Sequence, residues 1–182
     1  MSSLGHINPH PTRENLFTAK DVLAILPEHH WPSGAPSPEQ LAFCERAAAL
    51  LGPHAADLSG LAALLQLVFD YDAARILQTV DAHAVLARFG ARDVLRQLAL
   101  FLLDPVPFNS DRFKDVVTLL KEALGVRGRD LFHPLRLALA GRSGEGELDR
   151  VILLLDEAAA LPFEPPVKSA RARILEFCSA LD

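Results

Sequence analysis

The chain has 182 residues, half of them hydrophobic, and a formal net charge of −5. That length can bury a sizeable core in one or two domains, and that composition excludes a disordered polymer. An acidic chain is not a whole-surface electrostatic binder of nucleic acid, and no apolar run reaches the roughly 18 residues that span a bilayer.

Residues 1–17 carry Pro9 and Pro11 and no apolar period, so they read as an arm. Residues 1–35 are expected to form an arm and linker with one short helix, capped by Thr18 and ending at Pro27. The opening Met1-Ser2-Ser3-Leu4-Gly5-His6 lacks the basic and apolar regions of a secretory leader. Cys44 and Cys178 lack metal-ligand spacing and read as two buried, reduced thiols, which suits the cytoplasm. His6 and His10 lie on the proline-bearing arm. His29 and His30 are adjacent, so regular structure cannot turn both toward one ion, and no Cys or carboxylate cluster accompanies them. No metal site is expected there. Trp31, beside prolines, reads as a plug that docks a loop on the core.

Ser37-Pro38-Glu39-Gln40 is a helix start: Ser caps, Pro fits the first position, and Gln40 reaches back to the cap. That helix is expected to run to Leu51 and stop at Gly52. Apolar spacing at three and four residues predicts further helices over 59–69, 72–78, 82–89 before Gly90, and 93–103 before Pro105. A break over Asp104–Asn109 then divides a first helical subdomain, 36–104, from a second, 105–182. The second is predicted to hold a helix over 111–124, capped by Ser110 and ended by Gly125. Next come 130–140, with Pro134 in or near its first turns and Gly141 beyond, then 148–159 and 169–181. Valines and isoleucines fall in helical periods and not in alternating runs, so the expected class is all-α with no β-sheet. Phe69, Tyr71, Phe89, Phe101, Phe113 and Phe132 are expected to pack in the core.

Charge is uneven along the chain. Between Arg112 and Arg142, seven bases stand against three acids, so the remainder is strongly acidic. Within that window Arg127 and Arg129 flank Gly128. There follow Leu131-Phe132-His133-Pro134-Leu135-Arg136, an apolar run, and Gly141-Arg142. This stretch resembles the C-terminal, anticodon-binding helical region of bacterial glutamyl-tRNA synthetases, which belong to class I. The likeness is best over 109–155 and extends over 36–108, where Leu61 to Asp72 matches an apolar stretch and an aromatic-Asp turn. Residues 1–35 have no counterpart, and Pro162-Phe163-Glu164-Pro165-Pro166 reads as an insertion.

The resemblance implies a tRNA partner, with the glutamate type as the candidate, and a set of contact residues. Arg136 would face the anticodon, where a planar guanidinium hydrogen-bonds a base edge or stacks on it. Its alternative is a helix cap or an ion pair with Asp130 or Glu145. His133 shares a helix face with Arg136 and would stack on a base or donate to one; the alternative is an ordinary surface histidine. Arg142, Arg127 and Arg129 would contact phosphate, or else be simply solvated. The loop Gly141–Leu148 matches a second family element, in which Glu145-Gly146 replaces a proline-bearing pair ahead of Leu148. Loss of that proline loosens the loop, and the added carboxylate repels phosphate.

The catalytic half of such a synthetase needs a Rossmann domain and two ATP motifs, and neither motif occurs in this sequence. Gly-rich phosphate loops are absent too, so no cofactor is expected. The reading is a noncatalytic module that binds tRNA alone or with a protein partner, with no membrane association. Two alternatives stand beside it. One is a helical protein-interaction module that has lost RNA binding, which the net acidity and the altered loop favour. The other is the anticodon-binding chain of a split synthetase.

Overall fold

The computed structural model describes residues 14–26 and 35–182, which carry eleven α-helices and no strand. The fold is all-α. The helices are α1 (Ala19–Ile25), α2 (Pro38–Leu51), α3 (Leu58–Phe69), α4 (Ala73–Ile76), α5 (Val80–Leu86) and α6 (Ala91–Phe101). After the irregular segment around Asp104–Asn109 come α7 (Ser110–Leu124), α8 (Arg129–Ala140), α9 (Gly146–Ile152), α10 (Leu155–Ala159) and α11 (Ala170–Leu181). Helices on both sides of that segment share one core: α6 packs on α7, α8 and α11, while α2 and α3 pack on α9.

Local chemistry sets most of these boundaries. The amide of Gln40 donates to Ser37 Oγ (3.2 Å) and the amide of Ser37 donates to Gln40 Oε1 (2.8 Å), the reciprocal cap expected at α2. The Thr18 amide likewise donates to the Asp21 carboxylate at 2.8 Å, opening α1 where expected. Asp57, Asp72 and Thr79 cap α3, α4 and α5 by accepting from amides three residues on. At α7 the cap is Asn109 and not Ser110, which is the first helical residue. The amide oxygen of Asn109 accepts from the Arg112 amide at 2.9 Å. The expected helix over 148–159 is in fact two: it starts at Gly146 and breaks between Ile152 and Leu155. Expected helix 82–89 runs instead from Val80 to Leu86, so its last turn comes three residues early.

Arg173, on α11, organises the centre. Its side chain is fully buried and sits with its guanidinium 4.6 Å from the centre of the Tyr71 ring. Nε donates to Lys168 O, Nη1 to Leu67 O and Leu139 O, and Nη2 to Val68 O. Leu67 and Val68 lie in the last turn of α3 and Leu139 in the last turn of α8, so one cation satisfies carbonyls that the last helical turns leave unpaired. The Tyr71 hydroxyl donates toward Ala138 O and lies 3.2 Å from Arg173 O, adding to the same knot. Desolvation lowers the Arg173 pKa to about 10, and it stays charged at neutral pH. Burial raises the Tyr71 pKa, with the Arg173 charge partly opposing that shift.

A second knot joins the break to α11. The Asp156 carboxylate accepts from the Phe108 amide (2.7 Å) and the Ala170 amide (2.9 Å). The expected insertion at 162–166 carries Phe163 inward, where it meets Phe43 and Phe69 edge-on at 5.6 and 4.9 Å. Both cysteines are unpaired. Cys44 is buried, and desolvation lifts its pKa to about 11, whereas Cys178 is only half-buried. His6, His10, His29, His30 and Trp31 lie outside the described residues. Among the described residues, no helix is long and apolar enough to cross a membrane, and no group of three His, Cys, Asp or Glu is placed to hold a metal.

Candidate functional site

The basic motif forms the Gly125–Arg129 connection, α8, and the loop that follows it. Gly125, in the left-handed region, ends α7 as expected. Arg127 and Arg129 are exposed. Pro134 sits in the second turn of α8, where its missing N–H leaves the Asp130 carbonyl without its usual helical donor. The α8 residues Leu131, Leu135, Leu137, Ala138 and Leu139 are fully buried, so this helix enters the core at its C-terminal half. Gly141 ends it at φ 84°, a conformation that side chains resist.

Arg136 departs from the exposed, base-facing arginine that the motif suggests. It is 9% exposed. Nε and Nη2 bind the two oxygens of Asp149, on α9, at 2.8 and 3.0 Å, and Nη1 donates to Gly144 O at 3.1 Å. Its guanidinium also lies 4.8 Å from the centre of the Phe132 ring. The acid it pairs with is therefore neither Asp130 nor Glu145. Asp130 instead meets Arg88 at 2.8 Å.

The loop between α8 and α9 is clamped at two points. Arg136 holds its far side through Gly144, and Asp81 on α5 holds its near side. The Ser143 amide donates to Asp81 Oδ2 at 2.8 Å and the Ser143 hydroxyl to Oδ1. A Cβ at Gly144 would come within 2.8 Å of the Leu148 side chain, so close packing accounts for that glycine. These contacts hold the loop on both sides. Glu145 is exposed and precedes the first residue of α9, Gly146, which is also exposed. Leu148 is fully buried, and its side chain belongs to the core. Arg142 is exposed on the clamped loop.

His133 is half-buried one turn into α8. Its pKa is lowered below 6.5, first by desolvation and then by the charges of Arg129, Arg88 and Arg136, with Glu145 opposing. Arg88, Arg129, His133, Arg136 and Glu145 thus share one neighbourhood, and the imidazole is neutral at pH 7. The unfolded chain binds this proton more readily than the folded one. Stability from this group is therefore intact above about pH 6.5 and falls as the pH drops through the lower folded pKa. In a two-dimensional NMR titration His133 is expected to titrate below 6.5, and Arg129→Gln to move it upward. A midpoint at or above 6.5 in the unmodified protein would remove this charge cluster.

Two residues of this neighbourhood escape sequence reading. Arg88 carries no mark beyond its place in a helical period, and Phe89 reads as core packing. Because α5 stops at Leu86, Arg88 and Phe89 fall in the turn before α6, and Phe89 is 100% exposed. The core expectation for Phe89 is thus corrected. Phe69, Phe101, Phe113 and Phe132 are partly buried against the core, and Tyr71 is buried. Asp149 and Asp81 also escape it, since only the fold brings them to the motif. Arg112, one of the local bases, turns inward and donates to Phe101 O.

Comparison with known proteins adds the following. A family described as "Anticodon binding domain" matches residues 18–161. Similar proteins include glutamate–tRNA ligase 2 of Syntrophus aciditrophicus, 38% identical over 77 residues, or 42% of this chain and 16% of that protein. Glutamate–tRNA ligase 2 of Gluconacetobacter diazotrophicus is 39% identical over 57 residues, or 31% of this chain and 13% of that protein. Glutamate–tRNA ligase 1 of Brucella ovis is 41% identical over 64 residues, 35% and 14% respectively. The matched stretches span between 13% and 16% of these relatives' length.

Proposed function

This chain belongs to the anticodon binding domain family, and from that premise we propose that it is a noncatalytic tRNA-binding module. The observation that carries the reading is the motif itself: a basic connection, α8 and a doubly clamped loop, set together on an otherwise acidic chain. Arg127, Arg129 and Arg142 are exposed there and contact phosphate, while His133, neutral at pH 7, offers a ring for stacking or a base edge. Arg136 acts through the loop as a positioning residue: its fork is already filled by Asp149 and Gly144. Glu145 and Gly146 border the RNA, and Leu148 anchors the loop from beneath. The bound tRNA is of the glutamate type, after the relatives' names.

The noncatalytic reading is supported by the match to an anticodon binding domain and no catalytic one, and by the lack of both ATP motifs in this sequence. The net charge of −5 favours the second reading, a helical module that binds protein and not RNA. Fluorescence anisotropy with labelled tRNA at two salt concentrations separates them. Binding is expected to weaken as salt rises, because phosphate contacts release counterions. Replacing Arg127, Arg129 and Arg142 together by Ala is expected to flatten that salt dependence. The slope should fall by roughly 0.7–0.9 for each phosphate no longer neutralised. No binding by the unmodified chain at low salt would leave the protein-interaction reading in place.

A further inference from the structure

We propose that Phe89 is a stacking platform for an unpaired base of the RNA bound at this face, an inference that rests on the tRNA-binding function above. Single exposed apolar residues are ordinary on protein surfaces. Phe89 differs in degree and in company. Its side chain is 100% exposed and takes no part in the core, while every other described phenylalanine packs on that core or within it.

The turn that carries it is tied to the motif. Arg88 precedes Phe89 and pairs at 2.8 Å with Asp130, in the first turn of α8. The same Arg88 charge depresses the His133 pKa, together with Arg129 and Arg136. Phe89 therefore stands at the edge of the cationic neighbourhood, on a turn that a surface ion pair links to α8.

The chemistry of the surroundings selects the occupant. Aromatic anchors of protein interfaces sit in patches whose centres are depleted of charge. Here the flanking exposed residues are Arg88, Arg92 and Asp93, with Arg129 and Asp130 across the turn. An exposed ring beside guanidinium groups suits single-stranded RNA, because a base stacks on the ring while its phosphates meet the cations. The interior of a duplex cannot use such a platform, since its bases are already stacked on one another. The ligand class is an RNA loop with at least one unpaired base.

The test uses the full chain, an anticodon stem-loop RNA, and a blunt RNA duplex of equal length, each read by anisotropy. Phe89→Ala is expected to weaken stem-loop binding about 10-fold. Duplex binding and the salt dependence should stay unchanged, and Phe89→Trp should restore stem-loop binding. Because the side chain is wholly exposed, both variants should melt like the unmodified protein. Wild-type stem-loop affinity in Phe89→Ala, with salt-dependent binding intact, would overturn the platform and leave the tRNA-binding function standing. Equal losses on stem-loop and duplex would also overturn it. If the unmodified chain binds neither RNA at low salt, the underlying function fails and the platform with it. Self-association that Phe89→Ala abolishes while RNA binding is untouched would overturn the platform and assign the residue to contact between copies of this chain.

Discussion

Arg173→Met is expected to lower stability by about 4 kcal/mol or more and the melting temperature by roughly 8–16 °C. The substitution keeps much of the side-chain volume and removes every donor. Four carbonyls lose their partner at once: Leu67, Val68, Leu139 and Lys168. Each buried acceptor left unsatisfied costs about 1–3 kcal/mol, and removing the desolvation cost of the cation returns only part of that. The loss concentrates where the ends of α3 and α8 meet α11, so these helices are expected to open together. Arg173→Lys should fall between, because one ammonium cannot span three segments as a planar fork does. Tyr71→Phe removes only the hydroxyl and should cost about 1–2 kcal/mol. Urea and thermal unfolding followed by circular dichroism check all three. Arg173→Met within about 1 kcal/mol of the unmodified protein would show that other donors reach these carbonyls.

The second large effect concerns Arg136. Arg136→Ala is expected to destabilise the fold by about 2–3 kcal/mol, less than for a fully buried pair because water reaches part of Asp149. It is also expected to weaken tRNA binding about 10-fold or more, since the loop carrying Arg142 loses its Gly144 tether. Asp149→Asn decides how this happens. If Arg136 positions the loop, Asp149→Asn breaks the same bidentate pair, and both variants should lose affinity and discrimination between tRNAs together. If Arg136 reads a base directly, Asp149→Asn would free the guanidinium and leave discrimination intact. The first outcome is expected, because three guanidinium donors are already committed inside the protein. Arg136→Lys should not rescue, for an ammonium cannot bind both carboxylate oxygens and the carbonyl in this geometry. Anisotropy with two different tRNAs, beside a thermal melt, separates the binding and folding parts.

The sequence by itself determined the helical class, most element boundaries and the motif. Ser37-Pro38-Glu39-Gln40 states its own cap, Gly125 and Gly141 end their helices, and Thr18 opens α1, because each acts through neighbours within four residues. Such local chemistry survives without any knowledge of the fold. Sequence reading runs out where a neighbour distant in the chain decides. Phe89 fits a helical period, yet α5 ends at Leu86 and the turn leaves the ring in water. Arg136 looks like a surface reader, yet α9 brings Asp149 to it across thirteen residues. Arg173 looks like one more charge on a terminal helix, yet α11 inserts it where carbonyls from residues 34 to 106 positions away need a donor. A charged side chain in sequence carries no mark of whether its partners will be water or protein. Only the packing of α3, α8, α9 and α11 decided that, by fixing which polar groups lose solvent and must satisfy one another.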